Sequence, residues 1–347
     1  MLNDIVKPLT EWYRQNKRSL PWRDRHNAYY TWVSEIMLQQ TRVEAVKPYF
    51  RRFTEELPDP AALAECPEEK LLKLWEGLGY YNRVRNMQIA AQTVVEEYDG
   101  VLPASYEKLL SLKGIGSYTA GAIASIAYDI PVPAVDGNVL RVITRIIEDD
   151  GDIMKQSVKK RIENKLQEIM PGEYPGDFNQ ALMELGAVVC VPNGEPKCDV
   201  CPVAFCCGAR AHGTIDRFPV KAQKKDRKLE DRTVLVIQDG EKTAIRRRPS
   251  RGLLAGLYEL PNLLGHLTRE EVLDKVKNMQ LEPLYIEKLP DAKHIFSHVE
   301  WHMTRWYVEA ALDPDADVKE LIWVSRKELD QDVALPAAFK TYRKVIE

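Results

Sequence analysis

The sequence predicts two domains of different class, an all-α domain followed by a smaller α+β domain. Apolar residues recur at helical spacing from Leu2 to about Glu184, and from Thr233 onward the pattern changes to strand-like runs. Five of the six cysteines bunch at the junction, between Cys190 and Cys207. At 347 residues the chain is long for one domain and suits two. The predicted division is residues 1–216 for the all-α domain with its cysteine loop, 217–230 for a basic linker, and 231–347 for the second domain.

Taken in order, Ile5, Leu9, Trp12 and Tyr13 form a first helical stripe, and Trp32, Val33, Ile36, Met37 and Gln40 a second. Leu71, Leu72, Leu74 and Trp75 form a third; Met87, Ala90, Ala91, Val94 and Val95 form a fourth. Two-residue alternation is absent over this half, which reads as about ten helices. Leu112 to Ser117 (LKGIGS) runs from one helical pattern, Tyr106, Leu109 and Leu110, into another, Tyr118, Ala122, Ile123 and Ile126. Glycines on either side of Ile115 allow a tight turn with positive φ and leave the next helix's first N–H groups free for an anion such as a DNA phosphate. A loop punctuated by Pro131 and Pro133 then delivers Asp136 to the helical run Val139 to Ile147, where it is an N-cap or first-turn acid by position.

The predicted linker is rich in lysine and arginine, lacks an apolar period, and could touch a nucleic-acid backbone. Beyond it the runs TVLVI, TAIRRR, LYEL, PLYI, WHMTRWYVEAAL and LIWVS predict strands, with helices over Arg269–Met279 and Pro336–Ile346. With 45% hydrophobic residues there is material for packed cores. A net charge of −3 gives no global attraction to a polyanion, so any nucleic-acid surface must be local. No apolar run reaches the ~18 residues that span a bilayer, and the amphipathic N-terminus is unlike a signal peptide. The expectation is a soluble, cytoplasmic protein, nucleoid-associated if bacterial.

Three constellations could carry chemistry. Glu35 in WVSEIMLQQT has Trp32 three residues before it and Leu38 three after, so its carboxyl is placed for desolvation and a raised pKa, or else lies on the stripe's exposed edge. Gly77 to Asn86 (GLGYYNRVRN) presents tyrosines and arginines suited to stacking and phosphate contact, or simply to a core. Cys190, Cys198, Cys201, Cys206 and Cys207 have spacings that close loops around zinc or an iron–sulfur cluster.

These segments, with LPWR (Leu20 to Arg23), AVDGNVLRV and FNQALMELGA, resemble in order the helix-hairpin-helix DNA glycosylases that carry a 4Fe–4S cluster. Within them the likeness is greatest to the MutY-type adenine DNA glycosylases. It extends through RRPSRGLLAGLYELP and HIFSHVEWHM, which resemble that family's Nudix-like, lesion-recognising domain. The resemblance implies that Glu35 is the general acid for the adenine leaving group. Asp136 stabilises an oxocarbenium-like sugar, Asn138 orients the site, and Gln180, Arg18 and Trp22 bind the flipped adenine. It assigns DNA or lesion contacts to Gln40, Thr41, Leu78, Gly79, Tyr80, Arg83, Gly114, Ile115 and Gly116. Phe296, Ser297 and His298 are implied to face 8-oxoguanine, with Ser297 the direct hydrogen-bonding partner. Double-stranded DNA with adenine opposite 8-oxoguanine or guanine is the implied partner, and a monomer the implied state.

Tyr118 stands where strand-cutting relatives carry a Schiff-base lysine, which implies a monofunctional enzyme. The implied cluster ligands are Cys190, Cys198, Cys201 and Cys207. The first spacing encloses seven residues where the family usually has six, and Cys206 is an extra thiol. Three rivals remain: a bifunctional endonuclease-III-like enzyme acting on oxidised pyrimidines, an active Nudix pyrophosphatase, and a non-catalytic DNA-binding protein. Tyr118 and the second domain weigh against the first. Gly252, Glu259 and Arg269-Glu270-Glu271 have the wrong spacings for the second, and Glu35 with Asp136 weighs against the third.

Overall fold

The structure, a computed structural model, describes residues 2–23, 27–222, 226–312 and 320–342. Its contacts divide the chain into two units, Met1–Cys66 with Arg85–Gln223, and Pro67–Val84 with Lys224–Glu347. The sequence reading did not anticipate that 67–84 groups with the C-terminal part. Within that unit, Lys73 Nζ donates to the carbonyls of Leu329 at 3.3 Å and Val333 at 2.8 Å, and Glu76 accepts from Leu335 N at 3.2 Å.

The elements run α1 (Val6–Asn16), α2 (Ala28–Leu38), α3 (Val43–Glu56), α4 (Pro60–Glu65), α5 (Glu68–Leu74), α6 (Asn82–Tyr98), α7 (Tyr106–Ser111), α8 (Ser117–Tyr128), α9 (Gly137–Ile147), α10 (Gln156–Gln167), α11 (Pro175–Val188) and α12 (Gly208–Ala211). All but α5 lie wholly or mainly in the first unit, as the periodicity predicts. Asn27, Asp59, Ser105 and Asp136 cap α2, α4, α7 and α9 with their side chains. Helix α2 buries Trp32, Val33, Ile36 and Met37, and α8 buries Ala120, Ala122, Ile123 and Ala124. The small residues of α8 let α2 approach closely, and this pairing sets Glu35 against Tyr118. A second core joins Leu9 and Tyr13 of α1, Leu140 and Ile143 of α9, and Phe178 and Leu182 of α11. Gln40 does not extend the stripe of α2. The helix ends at Leu38, and Gln40 takes a left-handed φ of 62°.

The second unit contains β1 (Lys228–Asp239), β2 (Lys242–Arg247), β3 (Tyr258–Glu259), β4 (Asn262–Leu264), α13 (Arg269–Asn278), β5 (Leu281–Ile295), β6 (Val299–Leu312), β7 (Ile322–Ser325) and α14 (Arg326–Gln331). The sheet order is β3-β2-β1-β6-β5, with β4 on β1 and β7 on β2. Strands β1 and β6 run parallel, the other pairs antiparallel. Val234 and Val236 enter one core and Leu235 and Ile237 the other, so both faces of β1 are covered. That explains the unbroken apolar run TVLVI.

The linker expectation needs correction at both ends. Phe218 is buried, its carbonyl accepts from Arg145 Nε at 3.1 Å, and Val220 O accepts from Ile153 N at 3.1 Å, so the start is anchored. Strand β1 already begins at Lys228, while residues 223–225 lie outside the described ones. The helix expected over Pro336–Ile346 is a 3-10 helix, Ala337–Tyr342, and 343–347 lie outside the described residues. Helix α14 was not expected, although Ser325 and Glu328 spell the capping box that starts it.

Candidate active site

Glu35 lies on the last full turn of α2 and is only 7% exposed. The Tyr118 hydroxyl of α8 donates to its Oε2 in a short hydrogen bond. Burial pushes the Glu35 carboxyl up to about 7, the Tyr118 bond opposes this, and the nearby charge of Asp136 adds to it. A carboxyl in this state holds a proton near neutral pH and can give it away.

Asp136 caps α9: its Oδ1 accepts from Val139 N at 2.8 Å and its Oδ2 from Asn138 Nδ2 at 2.7 Å. Burial raises its pKa, and these two donors with the Arg141 charge work the other way, so its carboxylate is held by fixed partners. Asn138 is held in turn by Arg141, whose Nη2 donates to Asn138 Oδ1 at 2.9 Å and to Gly186 O at 2.7 Å. Arg141 Nε donates to Cys190 O at 2.8 Å, so one side chain ties the aspartate's partner to the start of the cysteine loop.

Glu35, Tyr118, Asp136, Asn138 and Gln180 line one cavity of about 1250 Å³. Gln180 makes no side-chain hydrogen bond among the described residues, which leaves its amide edge available to a ligand. Arg18 and Trp22 also line the cavity. Trp22 packs edge-on against Phe50 at 5.3 Å, and Arg18 is bound by its Nε to Glu184 Oε1 at 2.6 Å. Gln40 and Thr41 contribute to the same wall from the turn after α2.

In the turn Gly114–Gly116 the two glycines differ. Gly114 has φ 80°, and a Cβ there would meet Asn86 Cβ at 2.7 Å, whereas Gly116 is the extended N-cap of α8 with open space around it. The expectation that both glycines take positive φ therefore holds for Gly114 alone. Ile115 between them is buried.

The second unit brings together Tyr80 and Ser297, whose hydroxyls are 2.7 Å apart. Ser297 and His298 form the exposed tip of the β5–β6 hairpin, closed by Phe296 N to Val299 O at 2.8 Å. Phe296 packs edge-on against Trp301 at 4.9 Å. Tyr80 is 46% exposed with φ 47°, a left-handed conformation that costs a non-glycine residue free energy. Leu78 is buried, and Gly79 supplies a turn with φ 69°. The Arg83 guanidinium donates to the Leu78 and Gly79 carbonyls at 3.2 and 3.3 Å and lies over the Tyr80 ring at 5.4 Å. In this arrangement Arg83 shapes the turn.

Cys190, Cys198, Cys201 and Cys207 line a single cavity, and Cys206 does not. Arg145 Nη1 lies 3.2 Å from Cys190 Sγ. Among the described residues no three His, Cys, Asp or Glu side chains converge closely enough to hold one metal ion.

Residues 33–171 match the HhH-GPD superfamily of base excision DNA repair proteins, and 233–344 match the NUDIX domain family. The chain is 33% identical to adenine DNA glycosylase of Rattus norvegicus over 98% of its own length and 77% of the relative's. The chain belongs to the adenine DNA glycosylase family. The family member from Homo sapiens is 33% identical, covering 96% of this chain and 72% of that one; the member from Buchnera aphidicola (strain APS) is 32% identical over 84% and 83%. A thermostable thymine-DNA glycosylase structure aligns with 60% of this chain and 96% of its own, with TM-score 0.54 and 25% identity. An endonuclease III–DNA complex, 23% identical with TM-score 0.52, aligns with 61% and 98% and shares the fold.

Sequence reasoning missed Arg23, Arg141 and Glu184. The only signals were their places in LPWR, VDGNVLRV and FNQALMELGA, three and four residues from site side chains on the same helix for Arg141 and Glu184.

Proposed function

We propose that the protein takes adenine paired with 8-oxoguanine or guanine out of duplex DNA and hydrolyses its N-glycosidic bond without cutting the strand. The observation that carries this is one cavity holding two carboxyl groups in contrasting surroundings, a buried proton-holding Glu35 and an Asp136 fixed by two donors. Glu35 gives its proton to N7 of adenine, and the bond from C1′ to N9 breaks with its electron pair going to the base. Asp136 faces the cationic sugar, water adds at C1′ and loses a proton, and an abasic site remains. Gln180 reads the adenine edge, and Asn138 keeps Asp136 aligned. The protonation step contributes roughly 10²–10⁴-fold, so electrostatic stabilisation and positioning supply the rest.

Tyr118 supports base removal alone, because its hydroxyl is engaged with Glu35 and it carries no amine for a Schiff base. The Tyr80–Ser297 pair supports contact with the opposite base, Ser297 hydrogen-bonding 8-oxoguanine and Tyr80 wedging beside it. Open space at Gly116 supports approach of a phosphate to the amides of α8. Glu259 is committed to ion pairs with Arg246 and Arg248, which weighs against pyrophosphatase chemistry in the second unit.

Four of the cysteines line one cavity, Arg145 Nη1 lies beside Cys190 Sγ, and the family resemblance implies a 4Fe–4S cluster there. Cys190, Cys198, Cys201 and Cys207 would hold it, and bound there it braces the loop that Arg141 ties to Asn138. Among the described residues no helix is long and apolar enough to cross a membrane. We take the enzyme to act as a monomer.

The test uses duplexes bearing adenine opposite 8-oxoguanine and, separately, thymine glycol opposite adenine, with and without alkali. Base release from the first, with strand breakage only after alkali, is expected. Cleavage of the second without alkali would favour the endonuclease-III-like alternative.

A further inference from the structure

Glu184 of α11 is a buried carboxylate that the proposed mechanism does not use. Its side chain has no solvent exposure, yet it gathers two cations: Oε1 accepts from Arg18 Nε at 2.6 Å and Arg18 N at 3.2 Å, and Oε2 from Arg18 Nη2 at 3.0 Å and Arg23 Nη2 at 2.8 Å. Arg23 also donates to Arg18 O at 3.1 Å, which closes the loop between α1 and α2 on itself. Arg18, Arg23 and Glu184 line the same cavity as Glu35.

The other ionisable groups facing that cavity are Tyr118 on α8, Asp136 at the start of α9, Lys159 on α10, Arg42 and Glu44 at the start of α3, and Lys221. Of the cations, Arg23 is the one whose charge favours ionised Glu35. Burial works against a charged Glu184, but the Arg18 bonds and the Arg23 charge outweigh it and hold it ionised.

We propose that Glu184 is a positioning residue for the acid: by pairing Arg18 and Arg23 at the cavity wall, it keeps the Arg23 guanidinium from pairing with Glu35, which stays protonated and able to donate. The same clamp fixes Leu20 and Trp22, which lie between the two arginines in sequence, at the adenine pocket. This rests on Glu35 being the general acid.

The experiment is single-turnover adenine release from an adenine:8-oxoguanine duplex between pH ~5 and ~9, with the full-length protein. The unaltered protein should show a rate that falls on the alkaline side with a midpoint near 7. Glu184→Gln should move this limb down by about one pH unit, a roughly tenfold loss above it, as the released cation favours ionised Glu35. Arg23→Gln, which leaves Arg18 to pair Glu184, should move it up. A purely structural role would lower the rate at every pH without moving the limb, and that result overturns the proposal. If Glu184→Gln does not fold, Glu184→Asp decides: a shorter carboxylate that loosens its hold on Arg23 should lower the limb, and an unmoved limb overturns the proposal. Absence of any alkaline limb in the unaltered protein would instead overturn the assignment of Glu35 as the acid.

Discussion

At the scale of single residues, the buried Glu35 carboxyl is held at a cost to the fold. The Glu35 carboxyl sits near 7 in the folded chain, above its ordinary value of 4.5. Below 4.5 both folded and unfolded chains keep the proton, so the group contributes nothing. Between 4.5 and 7 the unfolded chain releases it while the folded chain retains it, so stability falls as pH rises and stays lowered above 7. The penalty is on the order of 3 kcal/mol. Glu35→Gln should therefore raise Tm by several degrees at pH 8 and leave it unchanged at pH 4, as thermal denaturation will show. Much of this site was legible in the chain. Trp32 and Leu38 left Glu35 open between desolvation and an exposed edge, and the loop ending in Asp136 left a cap or a first-turn acid; the fold buries the first and makes the second a cap. What the chain could not reveal was Glu184 meeting Arg18, because a contact across 166 residues leaves no local pattern.

At the scale of elements, the hairpin before α8 separates a glycine needed by the fold from one the fold leaves open. Gly114→Ala puts a Cβ against Asn86 at a positive φ, and should destabilise the protein by about 1–3 kcal/mol in denaturant titrations. Gly116→Ala meets nothing within 4 Å at an ordinary φ, so stability should change little while duplex affinity falls. The cysteine loop makes a parallel distinction. Cys207→Ser should lose bound iron and acid-labile sulfide, whereas Cys206→Ser, altering a thiol off the cavity, should retain both. Helical and strand periodicity located most elements correctly, because each buries a regular face. Strand β4 escaped because three residues carry no period, and Gln40 was misplaced because it stands four residues after Ile36 yet lies past the end of α2.

At the scale of the whole molecule, one unit contributes the cavity with both carboxyl groups and the other contributes Tyr80 beside Ser297. The change of hydrophobic period near Thr233 disclosed the two classes of architecture. It could not disclose that Pro67–Val84, helical and early in the chain, groups with the sheet. Losing the Ser297 hydroxyl should narrow discrimination between 8-oxoguanine and guanine opposite adenine by about fivefold, the worth of one hydrogen bond near 1 kcal/mol, measured as the ratio of duplex affinities for Ser297→Ala. The central claim is that Glu35 delivers the proton on which adenine release depends. Single-turnover release from an adenine:8-oxoguanine duplex by Glu35→Gln, with duplex affinity measured alongside, tests it most directly. The predicted result is a rate lowered by at least ~10²-fold with affinity retained; adenine release at the unaltered rate would contradict it.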